Sequence, residues 1–154
     1  MKMDRPQLEF VCELTVHVAR PLETGEPGMR NSNTMPLAGG TFKGPKLQGT
    51  ILPGGADWQL IKDAEVAEIN ARYTLEADDG TLIYISNKGM RVASPEVLKK
   101  ISSGEVVPPD EYYFRTVPVF EVAKGKYDWL MKSLFIAKGI RNPGNVTIQV
   151  WSVL

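Results

Sequence analysis

Asp57 stands beside Trp58 at the end of a run dense in glycine, GGTFKGPKLQGTILPGGADW, over residues 39–58. A carboxylate carried next to an indole on a double-glycine turn suits a pocket wall. The acid can move a proton, and the ring can stack on an organic ligand. Gly39, Gly40, Gly44, Gly49, Gly54 and Gly55 permit tight turns and close backbone approach, and the interleaved Phe42, Leu47, Ile51 and Leu52 mark the run as folded chain, not linker. The other groups suited to acid–base or electrostatic work are Glu121, Tyr73, Tyr84, Tyr112 and Tyr113, with Arg72, Arg91, Arg115 and Arg141. Two arginines sit against aromatics, in Arg72-Tyr73 and Tyr112-Tyr113-Phe114-Arg115. A guanidinium inside a barrel needs an internal carboxylate, such as Asp57 or Glu121, or a ligand anion. Taken singly, each arginine reads more simply as a surface residue or a structural ion pair; taken together they read as a pocket.

Other chemistries find little support. Gly39 and Gly44 have the spacing of a phosphate loop, but Pro45-Lys46 follows where Lys-Ser or Lys-Thr is required, and Pro45 removes a backbone donor. No Gly-x-Gly-x-x-Gly occurs. His17 is the only histidine and Cys12 the only cysteine, which argues against zinc or iron sites and against a histidine-dependent triad. Asp78-Asp79-Gly80 is explained as a hairpin turn without calcium. Cys12, among Phe10, Leu14 and Val16, reads as a buried, inert thiol. No metal and no cofactor are expected.

The elements that must position these groups are mostly strands. Leu8 to Ala19 alternates apolar and polar residues, with Val11 the exception, and Pro21 stops it. Glu23 to Pro36 reads as a polar loop able to act as a lid. Trp58 to Ile61 is a short strand and Val66 to Ala77 a long one. The faces of the long strand separate into Glu68, Asn70, Arg72, Thr74, Glu76 and Ile69, Ala71, Tyr73, Leu75, Ala77. The return strand runs from Leu82 to Asn87. One helix is credible: Ser94 caps, Pro95 fits the first position, Val97, Leu98 and Ile101 form a stripe, and Gly104 stops it. Strands resume at Glu111–Val117, Val119–Val122, Ser133–Lys138 and Val146–Val153, with a helical turn over Tyr127–Met131. Without strand–helix alternation a parallel sheet is disfavoured. A single all-β domain over residues 1–154 is expected, an antiparallel barrel with one short helix, which removes exposed sheet edges. A two-sheet sandwich is the alternative.

The bulk numbers fit such a domain. Hydrophobic residues make up 43% of the 154 residues and charged residues 23%, so a sizeable core is available. Eighteen basic and eighteen acidic side chains cancel, with no basic cluster for a nucleic acid. The single cysteine fits a reducing compartment. MKMDRPQLEF lacks the apolar centre of a signal peptide, and no stretch is long and apolar enough for a membrane helix, so a cytoplasmic protein without membrane partner is expected.

The runs GGTFKGPKLQGTILPGGADW, ARYTLEADDGTLIYISNKGMR, EYYFRTVPVFE and WLMKSLFIAKGIR, in that order, resemble the family known as domain of unknown function 3237, or UPF0311. The resemblance covers nearly the whole chain. It implies an antiparallel β-barrel of lipocalin-like or allene-oxide-cyclase-like type, often a homo-oligomer, with no settled activity. Residues at the family's signature positions are Asp57, Trp58, Arg72, Tyr73, Tyr84, Asn87, Arg91, Tyr113, Arg115, Phe120, Glu121, Trp129 and Arg141. The chain departs from the family pattern before the double glycine. Asn31-Ser32-Asn33-Thr34-Met35 stands where the family carries an arginine-rich apolar run.

The expected function is that of a small-molecule enzyme, a lyase, isomerase or cyclase acting on an oxygenated, aromatic or polyketide-like compound. Asp57 is its acid or base, Tyr84 or Tyr113 the donor to an oxyanion, and Arg72 and Arg115 its charge stabilisers. Trp58 and Trp129 stack on the ligand, and Asn87, Arg91, Phe120, Glu121 and Arg141 complete the binding set. The alternative from another class is a lipocalin-like carrier with the same pocket and no chemistry. A third reading is an assembly protein whose barrel is filled by side chains.

Overall fold

On the strand Val66–Ala77 every second residue is buried, and the buried set is Ala67, Ile69, Ala71, Tyr73, Leu75 and Ala77. Such period-two burial defines a sheet with one covered face, and here the sheet closes on itself. The computed structural model describes residues 3–23 and 31–154. Its strands are β1 (Leu8–Val18), β2 (Leu22–Glu23), β3 (Asn31–Lys43), β4 (Gln48–Ile51), β5 (Ala56–Ile61), β6 (Val66–Ala77), β7 (Leu82–Val92), β8 (Tyr113–Glu121), β9 (Leu134–Asn142) and β10 (Asn145–Val153). One α-helix, α1 (Pro95–Ser102), joins β7 to β8. The antiparallel path from β10 back through β6 is a meander, and β1 closes the barrel by pairing with both β10 and β3. β4 and β5 both lie between β3 and β6 and act as one broken stave, giving a closed eight-strand barrel.

The break between β4 and β5 explains the double glycine. Gly54 has φ +112°, a turn conformation closed to most residues. A Cβ on Gly55 would lie 2.5 Å from both the Arg72 carbonyl oxygen and Tyr73 Cβ. Only glycine lets the chain re-enter so close to β6, and Asp57 follows two residues later, paired with Ala71.

The two ends of the barrel are built differently. One is filled: Leu75, Ile83, Ile85, Phe135 and Val150 are almost wholly buried, Phe120 and Phe135 meet edge to face at 5.2 Å, and a 3₁₀ turn at Asp128–Met131 contributes the buried Leu130. At the other end, where β7 leaves and β8 enters, α1 packs Val97, Leu98 and Ile101 against the core. Ser94 Oγ accepts from the Val97 N–H at 3.2 Å, as its expected role as cap requires.

Several sequence-based boundaries change: β9 runs past Lys138 to Asn142, which brings Arg141 onto it, β8 starts at Tyr113 and not Glu111, and the glycine-rich run holds the unexpected strand β4. β7 extends beyond Asn87 to Val92, because Gly89 lies where any Cβ would strike the Arg115 carbonyl, and the ladder to β8 continues past it. β8 runs through Pro118 as one strand; the proline is buried, and β8 bridges β9 only at Arg115↔Lys138 and Thr116↔Ala137, so a missing N–H costs little there. Of the expected lid over Glu23–Pro36, residues 24–30 lie outside the described residues, while residues 31–36 are the start of β3 and pair with β5. Among the described residues no helix is long and apolar enough to cross a membrane.

Candidate functional site

The site occupies the α1 end of the barrel. Val16 and Val18 from β1, Met35 and Leu37 from β3, and Val146 and Ile148 from β10 form an apolar half-ring. Asp57 and Gln59 (β5), Tyr73 (β6), Asn87 and Arg91 (β7), and Arg141 (β9) form the polar half, with Phe114 between the two arginine-bearing strands. The cavity is narrow, about 40 Å³ measured over the positions a water's centre can take. A compact or flat ligand suits it. Gly139 shapes its wall, since a Cβ there would stand 2.5 Å from the Phe114 ring.

Asp57 is 9% exposed. The Gln59 side-chain amide donates to its Oδ2 at 2.8 Å, and the Asn70 backbone N–H donates to Oδ1 at 2.9 Å. These bonds fix the carboxyl and leave its remaining lone pairs for the cavity. Burial pushes the Asp57 carboxyl above its ordinary range, outweighing the two donors and the positive charges of Arg91 and Arg141, which pull it down. Burial also pulls Arg91 down to about 10, assisted by repulsion from Arg141. Arg141 is lowered by burial too, against the pull of Tyr112 and Asp57. Both guanidinium groups stay charged at neutral pH. The Nε atoms of both arginines and Oδ1 of Asn87 are buried without a hydrogen-bond partner among the described residues.

Strand register sets the depth of each group. Asp57 pairs with Ala71, and Ala71 with Asn87, so these three share a row across the barrel. Arg91 lies four residues nearer the α1 end of β7 than Asn87. Arg141 lies near the end of β9, where its backbone N–H donates to the Tyr112 hydroxyl at 2.8 Å. The acid is thus deep and the two cations are at the rim. Tyr73, two residues further down β6 than Ala71, lies below the acid, and its burial raises its hydroxyl well above the usual phenol range.

Of the residues singled out from the sequence, the fold brings together Asp57, Asn87, Arg91 and Arg141, and with them Tyr73. It does not bring Arg72, Tyr84, Tyr113 or Arg115 to the cavity. Arg72 and Tyr84 occupy outward positions of β6 and β7. Tyr113 and Arg115 share the outer face of β8, the guanidinium carbon 5.1 Å from the ring centre. The reason is parity: β6 turns its apolar set inward, so Tyr73 enters and Arg72 leaves. Trp58 is exposed on the outside and Glu121 is exposed at the far end of β8. Phe120 belongs to the filled end, and Trp129 lies there as well, with Lys46 Nζ 5.9 Å from its ring centre. Sequence reasoning overlooked Gln59, although its two-residue spacing from Asp57 places both on one strand face. It also missed Phe114 and Gly139, whose contact spans two strands.

A closed antiparallel barrel with a cavity at one end, apolar on one side and polar on the other, defines the class of protein. The chain belongs to a family described as protein of unknown function (DUF3237), whose model matches residues 6–153. It is 40% identical over 151 residues to a UPF0311 protein of Rhodopseudomonas palustris, covering 97% of this chain and 99% of that one. It is 36% identical over 146 residues to a UPF0311 protein of Clostridium acetobutylicum, covering 94% and 92%. Among solved structures, a conserved protein of unknown function from R. palustris superposes with TM-score 0.92 at 35% identity, covering 99% of this chain and 100% of that chain. A β-barrel-like protein from Acinetobacter baumannii does so with TM-score 0.84 at 35% identity, covering 99% of each. An enzyme from Penicillium herquei shares the fold, with TM-score 0.74 at 16% identity, covering 100% of this chain and 98% of that one.

Proposed function

We propose that the chain is a cofactor-independent lyase, isomerase or cyclase that moves a proton on a small oxygenated compound held in the barrel cavity. The observation that carries this is Asp57. It is a cavity-lining carboxyl, fixed by two donors and shifted by burial toward holding its proton at higher pH. Such a group passes a proton in either direction more readily near neutrality than an exposed aspartate does. Tyr73, which lines the same cavity, takes the oxyanion-donor role expected of Tyr84 or Tyr113. The Penicillium herquei protein is an enzyme, so a barrel of this shape accommodates catalysis. The homo-oligomer reading draws on the outer faces of the neighbouring strands β8 and β9, where Val117, Val119, Leu134 and Ile136 are exposed. A cytoplasmic setting keeps Cys12 reduced.

The test starts from protein purified natively and denatured, with the released compound identified by mass spectrometry. That compound is then incubated with fresh protein in deuterium oxide. Conversion or deuterium uptake by the wild type, lost about 10²–10⁴-fold in Asp57→Asn, supports the proposal. A compound that returns unchanged and undeuterated overturns it in favour of a lipocalin-like carrier. Unchanged turnover in Asp57→Asn removes Asp57 from its role.

A further inference from the structure

The lining of the cavity carries three charges, Asp57, Arg91 and Arg141, which leave one positive charge unmatched when Asp57 is ionised. Among the described residues neither guanidinium makes an ion pair or a side-chain hydrogen bond, and the buried Nε N–H of each lacks an acceptor. Two like charges brought together at the rim of a narrow cavity repel each other and lose hydration, a cost that folding alone does not recover. Asp57 attracts both across the cavity but bonds to neither; its carboxyl is held by the Gln59 amide and the Asn70 N–H instead. The arrangement is short of one anion with acceptor oxygens. A planar carboxylate fits the donor geometry of guanidinium groups, and its single charge matches the deficit. A phosphate dianion would overshoot it.

The cavity wall is apolar on one side, through Val16, Val18 and Ile148, and carries Asp57, Asn87 and Tyr73 deeper than the arginines. Asn87 is 2% exposed and its Oδ1 has no partner, so the deep end lacks a donor as the rim lacks an acceptor. A ligand with a carboxylate head and a hydroxyl on a flat apolar body satisfies both ends. We propose that Arg91 and Arg141 form the anion subsite of the cavity, and that its ligands are compact hydroxy-carboxylic acids bound as monoanions, carboxylate at the rim and hydroxyl toward Asn87. This deepens the proton-transfer reading, since it sets the reacting end of such an acid beside Asp57, but its test reads binding and not turnover.

The experiment is calorimetric titration of the whole protein with 4-hydroxybenzoate, benzoate, 4-hydroxybenzamide and inorganic phosphate. Charge-assisted hydrogen bonds from the arginines predict that 4-hydroxybenzoate binds at least about tenfold tighter than 4-hydroxybenzamide. Benzoate, lacking the donor for Asn87, is expected between them. Arg91→Gln and Arg141→Gln should each weaken 4-hydroxybenzoate about tenfold or more without changing the weaker affinity for the amide. Equal binding of acid and amide overturns the proposal, and so does phosphate binding in preference to both acids. Since that comparison uses the wild type, it decides the matter even if a variant fails to fold. Asp57→Asn removes the one negative charge of the lining and should bind 4-hydroxybenzoate at least as tightly as the wild type whether or not turnover survives, so weaker binding counts against the anion subsite and lost turnover alone does not.

Discussion

Replacing Asp57 by asparagine should make the protein more stable relative to wild type as pH rises. In the folded chain burial raises the carboxyl above its ordinary value of 3.8, so the folded state holds its proton to higher pH than the unfolded state does. Well below pH 3.8 both states are protonated and the residue contributes no slope. Between 3.8 and the raised folded value, the unfolded state releases its proton first, and wild-type stability falls. Above that window the whole loss stands, as the free energy of keeping a buried carboxylate. Asparagine removes the titration. It can still accept from the Asn70 N–H that bonds Oδ1 at 2.9 Å, and the Gln59 amide can turn to present its oxygen to the new NH₂ group. Each unit of upward shift corresponds to about 1.4 kcal/mol, or roughly 3–6 °C in Tm for a domain of this size. The assay is urea unfolding of both proteins at half-unit steps from pH 3.5 to 8. The stability of Asp57→Asn minus that of wild type should climb with pH and then level off. A flat difference, or one that falls with pH, refutes the claim that burial outweighs the arginines and the two donors at this carboxyl, and with it the case for a tuned acid.

Cys12, fully buried and with its thiol pushed up to about 12 by desolvation, should resist a disulfide reagent in the native protein and react once per chain after denaturation; rapid native labelling would contradict this. Gly139→Ala sets a Cβ 2.5 Å from the Phe114 ring, which should be driven toward the cavity at a cost of about 1–3 kcal/mol in chemical denaturation. An unchanged midpoint would show that the ring has another place to go. Gly55→Ala meets the Arg72 carbonyl oxygen and Tyr73 Cβ at 2.5 Å, atoms of a central stave that cannot yield easily. It should cost at least about as much and, by displacing β5, reduce any ligand affinity.

The barrel was legible because its signals are local. Alternation on β6, Asp-Gly turn chemistry and a proline-and-serine helix start each operate within a few residues of the chain. The acid was legible for a related reason: a double glycine before an aspartate announces a strand that enters tightly, and Gly55 does press against β6. The wall around that acid was not legible to the same degree. Arg72 and Tyr73 are neighbours, and sequence alone makes either of them the inward one; closure decides, because only one face of β6 can be enclosed and the apolar one is cheaper to bury. The same choice on β7 and β8 sends Tyr84, Tyr113 and Arg115 outside while Asn87 and Phe114 go in. Trp58 and Trp129 look alike as stacking residues, yet one lies on the outer wall and the other at the filled end. Thus the residues by themselves determined the strands, the turns and the presence of a buried acid. Closure of the sheet alone decided that Asp57, Tyr73, Asn87, Arg91 and Arg141, from four strands, share one cavity, since strand parity and register act between segments far apart in the chain.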